Sequence, residues 1–92
     1  MTKKPKTKKR VTFQVNAEPG SEVFVAGDFN NWEPKKKLKC TDRDDVYSGV
    51  VLLERGKQYE YKFLINGKWS IDPNCDEWMP NSLGTLNSVL RT

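Results

Sequence analysis

The side chains in this sequence best suited to chemistry with a ligand are its tryptophans, one outward-facing lysine and several amides. Trp32 stands in a turn beside Asn30, Asn31 and Pro34. An indole in such a loop is a weaker core candidate than one inside a strand, although it could still plug the edge of the fold. Farther along, successive side chains of a strand point to opposite faces. Tyr59, Tyr61, Phe63 and Ile65 therefore share one face, and Glu60, Lys62 and Leu64 the other. Aromatic residues at strand spacing are more often core than ligand platform, which assigns the first face to the interior and turns Lys62 outward. Trp69 follows the Asn66-Gly67 turn and lies across from the end of that strand, where it and Lys62 could share one exposed surface.

Flat indoles, an ammonium and amides together suit a sugar. A glucose ring has apolar C–H faces that cover the negative π-face of an indole. Its hydroxyl rim needs replacement partners when water leaves, and amides and lysine supply them. By analogy with base stacking, each ring would contribute about 1–3 kcal/mol. Two rings on an open surface imply a dissociation constant on the order of 10 µM to 1 mM.

Catalysis finds much less support. The chain has no histidine, so it has no imidazole base and no histidine-based triad. The carboxylate pairs Asp44-Asp45 and Asp76-Glu77 are adjacent in loops. Glycosidase carboxylates instead flank a bound sugar at about 5–10 Å within a cleft. Cys40 and Cys75 alone cannot complete a closed zinc site and read as two reduced thiols, with a Cys40–Cys75 disulfide as the alternative. No cofactor and no metal are expected, and the chain reads as a non-enzyme.

The elements that must position these residues are strands. At 92 residues there is room for one domain. Val11, Phe13 and Val15 alternate with polar residues, a half-buried strand. A turn at Glu18-Pro19-Gly20-Ser21 leads to a strand over 22–27. Further strands are predicted over 36–40, 47–53, 57–65, 68–71 and 86–90, with a loop from Asn74 to Gly84. Asn66-Gly67 is the strongest hairpin signal, because a type I′ turn needs positive φ at both central residues. Short strands with turns every 8–12 residues imply an antiparallel β-sandwich, with a small barrel as the competing architecture.

The net charge of +4 is concentrated at one end. Lys3, Lys4, Lys6, Lys8, Lys9 and Arg10 face no acid in the first ten residues, and without them the rest is mildly acidic. Residues 1–9 are expected to be a disordered basic tail and 10–92 a single carbohydrate-binding domain. The tail reads as solubilising, with weak attraction to nucleic acid or an acidic partner as the alternative. No run reaches the roughly 20 apolar residues of a membrane span. The basic N-terminus lacks the apolar stretch of a secretory signal, so a cytoplasmic location is expected.

Three longer segments and one short break between them carry a family resemblance. Val23-Phe24-Val25-Ala26-Gly27-Asp28-Phe29-Asn30-Asn31-Trp32 resembles the opening of the glycogen-binding domain in the β subunit of AMP-activated protein kinase. Tyr59-Glu60-Tyr61-Lys62-Phe63-Leu64-Ile65-Asn66-Gly67-Lys68-Trp69 is similar to its central hairpin, Asp72-Pro73 to the break that follows, and Leu83-Gly84-Thr85-Leu86-Asn87-Ser88-Val89-Leu90 to its closing strand. The same module, carbohydrate-binding module family 48, stands at the N-terminus of isoamylases and glycogen branching enzymes. The likeness covers residues 11–90.

That resemblance implies an immunoglobulin-like, early-set β-sandwich that binds α-1,4-linked glucans such as glycogen, starch or maltodextrin. It implies that Trp32 and Trp69 stack on glucose rings, and that Lys62 and Asn87 hydrogen-bond sugar hydroxyls. Leu83 would reach through or beside the curved chain, with Thr85 as a nearby polar contact. The module would work alone or bring a glycogen-metabolising enzyme to the polysaccharide. The alternative is a protein-interaction module of the same fold with a vestigial sugar site. Residues 74–82 follow no recognised pattern, and Trp78 there could extend the platform or cap the core.

Overall fold

The computed structural model describes residues 8–92. All the predicted strands form, and every pairing between them is antiparallel. In chain order they are β1 (Lys8–Asn16), β2 (Val23–Gly27), β3 (Lys36–Cys40), β4 (Val46–Glu54), β5 (Gln58–Ile65), β6 (Lys68–Ser70), β7 (Trp78–Pro80) and β8 (Leu86–Arg91). A 3₁₀ turn, Asp28–Asn30, follows β2. The short strand β7 lies inside the stretch expected to be loop. It pairs with β8 through Trp78↔Ser88, Met79↔Asn87 and Pro80↔Leu86.

The strand order is β1-β4-β3-β2-β5-β8-β7, with β6 attached to β5. β3 joins the two layers: its residues 36–38 pair with β2, while Lys39 and Cys40 pair with β4. The layers close on a core that includes Phe13 and Val15 of β1, Tyr47 and Leu53 of β4, Val23 and Val25 of β2, and Tyr61 and Phe63 of β5. The Phe13 and Tyr61 rings meet edge-on across this core with centroids 5.0 Å apart, although β1 and β5 share no backbone ladder. That face-to-face contact makes the architecture a sandwich.

The alternation read along β5 holds. Tyr61 and Phe63 are buried, with Tyr59 and Ile65 packed against them. Each fully buried side chain of this kind contributes about 1.5–3 kcal/mol, which is why the register of β5 is fixed. A slip of one residue would send Lys62 inward.

The basic tail expected over residues 1–9 falls mostly outside the described residues. Lys8 and Lys9, however, belong to β1, where they pair with Glu54 and Leu53. A backbone ladder needs no apolar side chain, so charge composition did not mark where the strand begins. Among the described residues no helix is long and apolar enough to cross a membrane. Cys40 and Cys75 are both free thiols.

Candidate functional site

The first segment of the site leaves β2 at Gly27. A Cβ there would collide with the Glu60 carbonyl oxygen and would lie 2.7 Å from the Phe29 ring. Only glycine allows this approach. The Asn30 side chain folds back over the turn, accepting from the Gly27 N–H at 3.0 Å and donating to the Val25 carbonyl at 3.3 Å. Asn31 and Trp32 then take left-handed backbone conformations, with φ of 56° and 60°. Such a conformation costs a bulky residue about 1–3 kcal/mol and persists only when its surroundings hold it. Here the Trp32 N–H donates to the Gly27 carbonyl at 2.9 Å. The indole Nε1–H donates to Asp28 Oδ1 at 3.1 Å, while Asp28 Oδ2 accepts from the Glu60 N–H on β5 at 2.8 Å.

The second segment is the β5–β6 hairpin. Asn66 and Gly67 have φ of 50° and 81°, the left-handed pair that a type I′ turn requires. The Asn66 side chain also fastens the hairpin tip to the neighbouring turn by accepting from the Glu22 N–H at 2.9 Å. The register sets Trp69 opposite Leu64 on the outward face, where the indole is 49% exposed. Lys62 lies on the same face of β5, two residues before Leu64.

The third segment is residues 81–87. Asn81 Oδ1 accepts from the backbone N–H groups of Leu83 (2.9 Å) and Thr85 (3.1 Å), which curls the loop and leaves Leu83 85% exposed at its tip. Asn81 Nδ2 donates to Thr85 Oγ1 at 2.7 Å and to Asn87 Oδ1 at 2.9 Å. Asn87, which is buried, donates in turn to Glu60 Oε1 at 3.0 Å. Lys62 Nζ reaches across from β5 to Thr85 Oγ1 at 2.9 Å.

The loop before this segment is anchored from inside. The Tyr61 hydroxyl donates to Asp72 Oδ2 at 2.7 Å, and the Asp72 N–H donates to Ser88 Oγ at 2.7 Å. Burial, and next the Asp72 carboxylate, push the Tyr61 hydroxyl far above the ordinary tyrosine range, so it remains a donor. Farther out, Arg91 grips Glu77 with two hydrogen bonds of 2.9 and 2.8 Å. That hydrogen bonding, reinforced by the positive charge, holds the Glu77 carboxyl below its usual value.

The three segments converge on one open hollow of about 380 Å³ lined by Trp32, Lys62, Trp69, Asn81, Ser82, Leu83 and Asn87. Of the six residues singled out in the sequence, five line it, and Thr85 joins through its bonds to Lys62 and Asn81. Asn81 and Ser82 were not foreseen. The available signal was the Asn-Ser-Leu-Gly composition of a turn, in which an asparagine side chain commonly takes nearby backbone N–H groups. Trp78 does not line the hollow. Its partner in the ladder is Ser88, whereas Met79 is the residue opposite Asn87, so Trp78 lies on the other face of β7.

A larger depression of about 550 Å³ lies between the turn around Gly20 and β3, with Lys37, Lys39, Cys40 and Tyr47 in its wall. It offers no aromatic platform. Tyr47 is buried and its hydroxyl already bonds the Glu18 carbonyl and the Ser21 N–H, both at 3.1 Å. Among the described residues no cluster of cysteine and carboxylate side chains could hold a metal ion.

Comparison with known proteins points the same way. Residues 10–92 match the family described as the glycogen recognition site of AMP-activated protein kinase. The chain is 36% identical over 87 residues to 5'-AMP-activated protein kinase subunit beta-2 of Homo sapiens, covering 95% of this chain and 30% of the relative. It is 35% identical over 72 residues to subunit beta-1 of Sus scrofa, covering 78% of this chain and 55% of the relative. The chain thus spans about a third of the length of the beta-2 subunits that it resembles.

Proposed function

Because this chain belongs to the family of the glycogen recognition site of AMP-activated protein kinase, we propose that its hollow binds α-1,4-linked glucans by stacking glucose rings on Trp32 and Trp69. The observation that carries this reading is the meeting of both indoles with Lys62 and Asn87 around a single concavity. Trp32 has its only polar atom tied to Asp28, so the ring offers its apolar surface. Trp69 is half exposed. Lys62 offers N–H groups to sugar oxygens, buried Asn87 lines the hollow with one amide hydrogen beyond its bond to Glu60, and Leu83 projects beside them as an aliphatic prong.

The module is non-catalytic in this reading. Its lining supplies no carboxylate pair that could flank a glycosidic bond. By name the relatives are subunits of a kinase, and we extend to this chain the role of bringing an enzyme to polysaccharide. Two free thiols, one of them exposed, suit the reducing interior of the cell.

Titration with maltoheptaose, followed by tryptophan fluorescence, tests the binding. Saturation is expected in the range of about 10 µM to 1 mM. Trp69→Ala should weaken binding about 5- to 150-fold, the equivalent of a 1–3 kcal/mol stacking contact, without unfolding the domain. Flat fluorescence at millimolar sugar would defeat the proposal.

A further inference from the structure

We propose that Asn81, which lies outside the ligand set expected from the sequence, fixes the hydrogen-bond polarity of the hollow so that Thr85 can meet a ligand only as a donor. The inference rests on the glucan reading for its ligand and on the network alone for its mechanism.

The orientation of the Asn81 amide is dictated by its neighbours. The backbone N–H groups of Leu83 and Thr85 can only donate, so the atom facing both is the oxygen. Nδ2 therefore faces Thr85 Oγ1 and Asn87 Oδ1. Asn87 is oriented just as firmly, since the Glu60 carboxylate can only accept its Nδ2. Lys62 carries an ammonium, which has donors and no acceptor.

Thr85 Oγ1 consequently receives two donors, at 2.9 Å from Lys62 and 2.7 Å from Asn81. A hydroxyl has two lone pairs and one hydrogen. With both lone pairs engaged, the Thr85 O–H must find its acceptor outside the network. Lys62 keeps further N–H groups for the same side. The ligand atom that meets this corner must be an acceptor oxygen, as a glucan hydroxyl, ring or glycosidic oxygen can be. Asn81 acts through Thr85 and Asn87, so it is a positioning residue and sets specificity by polarity.

Asn81→Asp reverses that polarity with almost no change of shape. Its near oxygen would still accept from the N–H groups of Leu83 and Thr85, while the far oxygen would draw the Thr85 hydroxyl inward and give up the bond to Asn87 Oδ1, itself an acceptor. Maltoheptaose titrations of the full chain would compare wild type, Asn81→Asp, Thr85→Val and the double variant. Each single change should weaken binding about tenfold, the equivalent of one lost hydrogen bond to the ligand. The double variant should bind no worse than Asn81→Asp, because the hydroxyl is already withdrawn there. Binding of Asn81→Asp within twofold of wild type, or losses that multiply in the double variant, would overturn the proposal. A ligand-free readout stands beside these. In wild type both Asn81 side-chain amide hydrogens should exchange slowly by NMR, and Thr85→Val should speed one of them. Rapid exchange of both in wild type overturns the network even if Asn81→Asp fails to fold. If wild type ignores maltoheptaose while both hydrogens are protected, the glucan reading is what fails.

Discussion

Asp28 holds Trp32 by its ring: the indole Nε1–H donates to one carboxylate oxygen at 3.1 Å, while the other oxygen accepts the Glu60 N–H at 2.8 Å. One side chain therefore connects a tryptophan in a left-handed turn to the central strand of its layer. Asp28→Ala should free the indole and weaken maltoheptaose binding about tenfold, on the scale of a hydrogen bond to a charged group. Asp28→Asn should keep part of the effect, since the amide oxygen can still accept one of the two bonds. Fluorescence anisotropy of the tryptophans would report the loosening directly, and an unchanged anisotropy would count against this role.

Gly27 gives a second prediction. Any side chain at this position meets the Glu60 carbonyl, the Phe29 ring and Tyr61 Cβ at once. Two of these belong to β5, which cannot move without disturbing the core. Gly27→Ala should destabilise the domain by about 1–3 kcal/mol. It should also displace the Trp32 turn, whose first bond is to the Gly27 carbonyl. Chemical denaturation measures the first effect and sugar titration the second.

The Tyr61–Asp72 contact is a buried bond at 2.7 Å between a neutral donor and a carboxylate. In Tyr61→Phe the Asp72 Oδ2 atom would lose that partner inside the protein. The expected loss is about 1–3 kcal/mol of unfolding free energy. Fluorescence-detected urea melts should show a lower midpoint with an unchanged slope.

Glu77 supplies a pH signature. Arg91 hydrogen-bonds its carboxylate and lowers its folded-state pKa below the ordinary 4.5. The ion pair therefore stabilises the fold fully above that ordinary value and is lost as pH falls through the depressed one. Glu77→Gln should melt slightly below wild type at neutral pH, and the gap should close under acid conditions. Both side chains are well exposed, so the difference should be small and should shrink in high salt.

Much of this architecture was legible in the chain. Period-two alternation located β1 and β5 because each has one buried face, and Asn66-Gly67 announced its turn because few other pairs tolerate two positive φ angles. The family motifs named six residues, of which five line one hollow and Thr85 bonds to two of its lining residues. β7 was hidden: Trp78, Met79 and Pro80 are all exposed, so burial left no periodic mark on them. Asn81 was hidden for a different reason. Composition marks the turn that its side chain curls, but its bond to Asn87 joins two residues that no local pattern pairs. The left-handed backbone at Trp32 was equally invisible, since nothing in a tryptophan advertises it.

Glu60 touches every part of the arrangement: its N–H fixes Asp28, its carboxylate fixes Asn87, and Lys62 follows two residues later. No fragment of the chain could assemble the hollow alone, so ligand occupancy is linked to cooperative unfolding. A saccharide at a hundred times its dissociation constant would add about 2.7 kcal/mol to the folded state. For a domain of this length that means a melting point higher by about 10–20 °C. A thermal-shift series over glucans of graded length would therefore rank them by affinity, with no label and no engineered residue.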